Sequence, residues 1–412
     1  MSAVDEPEYP FDDWGIEISP LYATLRDRAA PAHRVRTVTG DRVWLVTRYD
    51  VARRLLSDPR LSLTAALAAD APRQEPLRPR AEGARGDGMA TLQETGLRGF
   101  LAEALSPRTI RTHRDWTRRR ADELLDTLVR EGRPGDLQRG LARPLTFAVA
   151  CRALLGDLTE EEGAWLNELC DTVLVWRDRP RAEIQSALNG LYGFFLRRAP
   201  ELAAAPGDDV VKRGARARGA DGARLGEDGL AELANLMMIA GYRTAASFVA
   251  NALVMAVSHP TALTALRDGT VALPHLVEEV MRRTPMSTGG IKRVATDAVE
   301  IDGLTIRAGE CVLVSLEAAN HDPRAYPDPD LFDPGRFDPG RSTATGRGCP
   351  QLGFGHGKHH CPGNGLARMQ IGVVLEALAA RTPALRLAVP AAELRWRPDV
   401  AFRIPESIPV VW

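Results

Sequence analysis

The segment from Leu230 to Ser258, LAELANLMMIAGYRTAASFVANALVMAVS, constrains the fold most. Its apolar residues recur at three-to-four spacing, which predicts a helix. At about 30 residues it would be far longer than the mean helix of about 11–12. It is apolar on most faces, and such a helix must be buried all round. Glu232, Asn235, Arg243 and Asn251 interrupt it, and no apolar run here reaches the about 18–20 residues that a membrane span needs. The expected solution is a large helical domain packed around this segment.

The rest of the chain supplies the packing partners. Leu97–Leu105, Thr112–Arg130, Leu145–Leu155, Glu160–Trp176, Arg181–Leu202, Leu276–Arg283 and Leu366–Leu378 read as helices by the same spacing, with breaks at prolines and glycines such as Pro107, Gly156 and Pro260. Near the start, Pro20–Ala30 and Tyr49–Leu56 read as short helices and RVWLVT (Arg42–Thr47) as a strand. From Arg293 the period changes: VEIDGLTIRAGECVLVSL alternates around Asp302–Gly303 and Ala308–Gly309, which predicts hairpin strands. Residues 70–90, rich in Pro, Gly and Arg, read as a long loop. The expected fold class is mainly α with a small β region. We expect one domain over 1–412, with an early β-containing part at about 1–60, a helical core at about 96–285 and a late β part from about 286 to 412.

Charge and cysteine usage narrow the function classes. Lys and Arg number 53 and Asp and Glu 54, for a net charge of −1, without the basic excess of a dedicated nucleic-acid binder. Five cysteines make no disulfide framework. The acidic start MSAVDEPEYPFDDW has no signal-peptide character. A cytoplasmic protein is expected.

The chemistry concentrates in LGFGHGKHHCPGNGLARM, Leu352 to Met369. Gly355, Gly357 and Gly363 flank Cys361 and permit close backbone approach. Pro362 follows, as at the first turn of a helix, so Cys361 is expected at a helix N-terminus where a thiolate is favoured. By these residues alone Cys361 could be a buried structural cysteine, one member of a zinc site with His356, His359 and His360, a nucleophile, or the thiolate ligand of a metal.

The string FGHGKHHCPGNGLAR resembles the heme-binding loop of the cytochrome P450 superfamily, F-x-x-G-x-x-x-C-x-G, with Phe354, Gly357, Cys361 and Gly363 at its four places. The resemblance extends over the whole chain through two further motifs. It implies the P450 fold, a single large helical domain around a buried heme b, with Cys361 as axial ligand of the iron, Phe354 packed beside it and His359 reaching a heme propionate. Glu279 and Arg282, in VEEVMRR, match the E-x-x-R motif, and Arg336 in FDPGRFD would close them into a buried triad. Arg293 and Arg98 match two propionate-binding arginines, although Glu94 stands where the family carries a histidine four residues before Arg98.

In the long helix, AGYRTAA resembles A-G-x-[D/E]-T-T. The resemblance makes Ala240, Gly241, Arg243 and Thr244 the catalytic stretch: Gly241 leaves room for a groove, and the Thr244 hydroxyl works there in proton delivery to bound O2. Arg243 replaces the family's acid and Ala245 its second hydroxyl residue. An arginine stays protonated and cannot relay protons. It is expected either to pair with an acid such as Glu168 or Asp171, with water carrying protons, or to hold a polar group of the substrate.

By the same resemblance, the substrate pocket would draw on the loop 70–90, the region Trp176–Pro180, Met237, Met238 and Tyr242, the stretch Met286–Ile291 with Thr288 and Gly289, and Ala401–Phe402. The implied function is a heme-thiolate monooxygenase, hydroxylating or epoxidising a small-molecule natural product in bacterial secondary metabolism. The alternative is a P450-type oxidase that closes a ring or couples two atoms without inserting oxygen. Electrons would come from a ferredoxin and its ferredoxin reductase, with Arg108, Arg111, Arg114, Arg118, Arg119, Arg120 and Lys358 as a positive docking face. No nucleic-acid or membrane partner is expected, and the protein should be a monomer.

Overall fold

The computed structural model describes residues 6–11, 15–68, 70–74, 81–84, 92, 96–174, 179–219, 222–284, 289–341, 349–382, 384–397 and 402–412. They fall into two compact units, and the chain passes between them several times.

The first unit draws on residues up to 77, 264–361 and 395–403. It holds a six-stranded sheet in the order Glu8–Tyr9, His33–Thr37, Arg42–Val46, Cys311–Val314, Ile291–Ala295, Leu61–Ser62. Cys311–Val314 lies near the middle, parallel to Arg42–Val46 and antiparallel to Ile291–Ala295. All four of its residues are buried. Val312 and Val314 join one apolar cluster and Cys311 and Leu313 another. Both pleat faces are therefore covered, which explains an unbroken apolar strand where alternation would mark a half-exposed one. The hairpin Val299–Ile301 with Leu304–Ile306 forms as expected, turning through Asp302 and Gly303 at positive φ. Helices Tyr49–Ser57, Leu273–Arg283 and Leu316–Asn320 complete the surroundings of the cysteine loop.

The second unit draws on 78–263, 362–394 and 404–412. The long helix runs over Glu227–Ser258, and every residue from Ala245 to Val257 is buried. Pro107–Glu131 packs on Asn364–Arg381, joined by Arg114 to Glu376 at 2.6 Å. Glu160–Val173 opens with a capping box in which Thr159 and Glu162 satisfy each other's backbone donors. A three-stranded sheet pairs Pro409–Val411 with Arg386–Leu387 and Gly135–Asp136. Among the described residues, no single helix is long and apolar enough to cross a membrane.

Some boundaries differ from expectation. Pro107 and Pro260 begin helices rather than break them, because a proline in the first turn loses no intrahelical hydrogen bond. The helix expected over Leu145–Leu155 starts earlier, as a π turn at Gln138–Ala142. Val210–Arg216 and Pro260–Arg267 form helices the spacing did not reveal, each too short to show a repeat.

Candidate functional site

The cysteine loop is tied down by its own backbone. Gly355 N–H donates to Leu352 O (2.7 Å), His360 N–H to Gly357 O (3.0 Å) and Cys361 N–H to Phe354 O (3.0 Å). Gly357 has φ +73°, and a Cβ there would lie 2.7 Å from the backbone oxygen of Leu56. Only glycine fits this place. Phe354 is buried and its ring centroid is 6.4 Å from that of His360. Cys361 is half-buried and takes part in no disulfide among the described residues. Among the described residues, no three His, Cys, Asp or Glu side chains converge as metal ligands, so the loop histidines do not build a zinc site around it. The following helix begins at Asn364 with Gly363 as its cap. Pro362 lies in the turn before it, not in its first turn. Gly363 holds ψ 4°, and this sets the helix start later than the proline suggested.

A buried ion-pair cluster anchors the loop's first residues. Glu279 and Arg282 are both 0% exposed. Arg282 donates two parallel hydrogen bonds to Glu279, Nε to Oε2 at 2.8 Å and Nη2 to Oε1 at 2.9 Å. Arg336 Nε reaches Glu279 Oε1 at 3.3 Å, and the Asp333 amide donates to the same oxygen at 2.9 Å. Arg282 Nη1 donates to the carbonyls of Asn320 and Pro329, both at 2.8 Å. Asn320 then accepts the Leu352 amide through Oδ1 at 2.7 Å. The three residues of the expected triad thus come together, and Asn320 links them to the cysteine loop. Asn320 had no signal in the sequence: nothing distinguishes it from a surface asparagine until the chain is folded.

Arg293 tests whether this unit suits a heme. It is 4% exposed, and burial pushes its guanidinium below the usual arginine range with no charged neighbour among the described residues opposing the shift. Its side chain donates to the Lys292 carbonyl at 2.8 Å. A buried cation without a carboxylate is costly, and a propionate would supply the missing charge. Together with a thiol on a glycine-cradled loop, the donor set fits a heme.

The long helix departs from α geometry at the expected stretch. Met237–Arg243 bonds as a π segment, a form that gathers at functional sites. Thr244 Oγ1 donates to the Ala240 carbonyl at 2.6 Å. This i−4 bond diverts a carbonyl from the helix ladder. Gly241 requires a correction. A Cβ there would meet Leu154 Cδ1 at 2.7 Å, so the absent side chain permits close helix packing rather than opening a groove. Arg243 is buried and its Nη2 is hydrogen-bonded to Asp171 on Glu160–Val173. Its Nε has no hydrogen-bond partner among the described residues.

Tyr242 also requires a correction. It was expected to line the substrate pocket, but its ring stacks edge-on against Phe147 (5.7 Å) and its oxygen accepts from Asn167 Nδ2 at 2.8 Å. Two residues along a helix project to roughly opposite sides, so Tyr242 and Thr244 do not share a face. Met237 and Met238 are buried, Met238 fully.

Thr288, Met286, Ala401, Glu94, Trp176 and most of the 70–90 loop lie outside the described residues, as does the side chain of Arg98. Gly289 and Phe402 are half-buried. The basic run is partly neutralised: Arg114 and Arg118 meet Glu376 and Asp122, and Arg120 meets Glu123. Arg108, Arg111 and Arg119 are exposed, and so is Lys358. These pairings follow from helix contacts that a linear run of arginines does not disclose.

Residues 271–380 match the family model described as Cytochrome P450. Nocardicin C N-oxygenase of Nocardia uniformis is 34% identical, with 100% of each chain covered. Mycocyclosin synthase of Mycobacterium tuberculosis is 31% identical over 100% of each. A solved cytochrome P450 hydroxylase from the leinamycin biosynthetic pathway of Streptomyces atroolivaceus superposes with a TM-score of 0.84 at 36% identity, over 98% of this chain and 100% of that one.

Proposed function

The chain belongs to the cytochrome P450 family, and on that premise we propose that it oxidises a small-molecule natural product with electrons from a ferredoxin, acting as a cytoplasmic monomer. It is an oxidoreductase of the mainly α P450 fold, and its cofactor is heme b. When bound through a cysteine thiolate, that heme activates dioxygen, the thiolate favouring O–O cleavage.

The chain's own residues then have four tasks. Cys361 presents its sulfur from a loop held by its own backbone hydrogen bonds and by the close approach of Gly357 to Leu56. Arg293 holds a propionate, with His359 and Arg98 as further partners, and so exchanges a desolvation penalty for an ion pair. The Glu279–Arg282–Arg336 cluster keeps the loop's start in place through Asn320. Thr244 carries an exchangeable proton on Oγ1, now given to the Ala240 carbonyl, which it can redirect to another acceptor. Arg243, bound to Asp171, stays protonated, so protons reach Thr244 through water. Ala240, exposed beside it, borders the same stretch. Met237, Thr288, Gly289 and Phe402 remain our assignment for the substrate's apolar surroundings.

The observation that carries this reading is the cysteine loop. The reduced protein with carbon monoxide should give the absorption maximum of a thiolate-ligated heme, and Cys361→Ala should lack it. Retention of that spectrum by the variant would remove Cys361 from its role. The relatives favour a second reading too, because one is an N-oxygenase while a structural neighbour has biaryl coupling reactivity. Product mass separates the two: one added oxygen for insertion, two lost hydrogens for coupling. A reduction rate that falls with ionic strength would support docking at Arg108, Arg111, Arg119 and Lys358; a salt-independent rate would argue against it.

A further inference from the structure

Gly15 and Glu17, near the start of the chain, receive a side chain from its far end. Arg403 is buried, and its Nη1 donates to the Gly15 carbonyl at 3.2 Å and to the Glu17 carbonyl at 2.7 Å. Its Nη2 lies 3.6 Å from Glu317 Oε2, and the other carboxylate oxygen of Glu317 accepts from the Tyr22 hydroxyl at 2.6 Å. Trp396 meets the same short segment: Gly15 has φ +65°, and a Cβ there would lie 2.7 Å from Trp396 Nε1. Glycine enters that φ without strain and leaves room for the indole. The segment is itself tied down. Glu17 accepts from Arg283 Nη2 at 3.1 Å, and Arg283 ends the helix that carries Glu279 and Arg282. All of these residues belong to the first unit.

The arrangement fixes the backbone at Arg403. A guanidinium is a planar fork of fixed donors. When buried it stays with its acceptors, since leaving them would strand a charge. Phe402 is the residue before it and stands in a β bridge. In extended chain, neighbouring side chains point to opposite sides. With Arg403 turned toward Gly15 and Glu17, Phe402 is turned away from them.

We propose that Arg403 is a positioning residue for substrate binding: seated on Gly15 and Glu17, it aims the Phe402 ring into the substrate pocket, so that the start of the chain sets how a bulky ligand fits beside the heme. The inference rests on the assignment of Phe402 to that pocket.

The test uses the heme-loaded protein and two probes that bind iron through an imidazole nitrogen, imidazole and 4-phenylimidazole, each titrated by the shift in heme absorption. Phe402→Ala should weaken 4-phenylimidazole at least about five-fold, because its phenyl ring loses apolar contact, and change imidazole less than about two-fold. Arg403→Met and Gly15→Ala should reproduce this size-dependent loss, and neither should add to it in the Phe402→Ala background. Gly15→Ala leaves every charge in place, so it supplies the answer if the Arg403→Met chain does not fold. Unchanged affinity of Phe402→Ala for both probes would remove Phe402 from the pocket and the proposal with it. A loss in Phe402→Ala that the Arg403 and Gly15 variants do not share, an equal loss for both probes, or a further loss in the double variants would overturn the positioning role alone.

Discussion

Arg243 and Asp171 form an ion pair that joins the π segment of the long helix to the neighbouring helix Glu160–Val173. The two partners differ in burial: the Arg243 side chain is 6% exposed and that of Asp171 21%. Removing the carboxylate strands a buried guanidinium, whereas removing the guanidinium leaves a carboxylate that water can reach. Asp171→Ala should therefore cost about 3 kcal/mol and Arg243→Met clearly less. Urea denaturation of both variants and of the double variant measures this, and equal costs would show that burial does not set the asymmetry.

The Glu279–Arg282 pair allows a sharper comparison. Both side chains are fully buried, and Glu279 also accepts from Arg336 and the Asp333 amide. Glu279→Gln should destabilise the protein by roughly 3–5 kcal/mol, the range for a buried pair that loses one charge. Arg336→Lys should cost less, since Arg282 still satisfies the carboxylate. Chemical denaturation followed by far-ultraviolet circular dichroism gives both values.

Arg293 should show opposite effects in the two forms of the protein. Without heme it is a desolvated cation lacking a charged partner among the described residues. Arg293→Leu is expected to raise the thermal midpoint of the apoprotein and to speed loss of heme to a scavenging apoglobin. A variant with a lower apoprotein midpoint and unchanged heme retention would contradict the propionate assignment.

His321 supplies a pH dependence. It is fully buried, its pKa is pushed well below the usual 6.5 by burial and by Arg282 and Arg283, and its ring bonds Glu317 O through Nδ1 (2.8 Å) and Arg283 through Nε2 (2.7 Å). With Nδ1 donating, Nε2 must accept from the guanidinium, so the ring is neutral in the fold. Above about pH 6.5 it is neutral in both states and contributes no slope. Below that, the unfolded chain takes up a proton and the folded chain does not. Stability should then fall with pH by up to about 1.4 kcal/mol per unit. Midpoints measured between pH 7 and pH 5 should drop, and His321→Gln should flatten part of the drop.

Three things were readable along the chain because each depends on neighbours close in sequence. The long helix declares itself by periodicity, the hairpin at Asp302–Gly303 by its turn residues, and the cysteine loop by glycine spacing around Cys361. Glu279 and Arg282 share a face because three residues separate them. Folding alone disclosed what depends on distant partners. Gly241 faces Leu154, 87 positions before it, so its purpose is a helix contact. Tyr242 turns to Asn167, Arg243 to Asp171, and Asn320 to Leu352. A side chain's direction on a helix is local, but the surface it meets is set by how separate helices pack, and that packing is a property of the whole chain's buried surface rather than of any one segment.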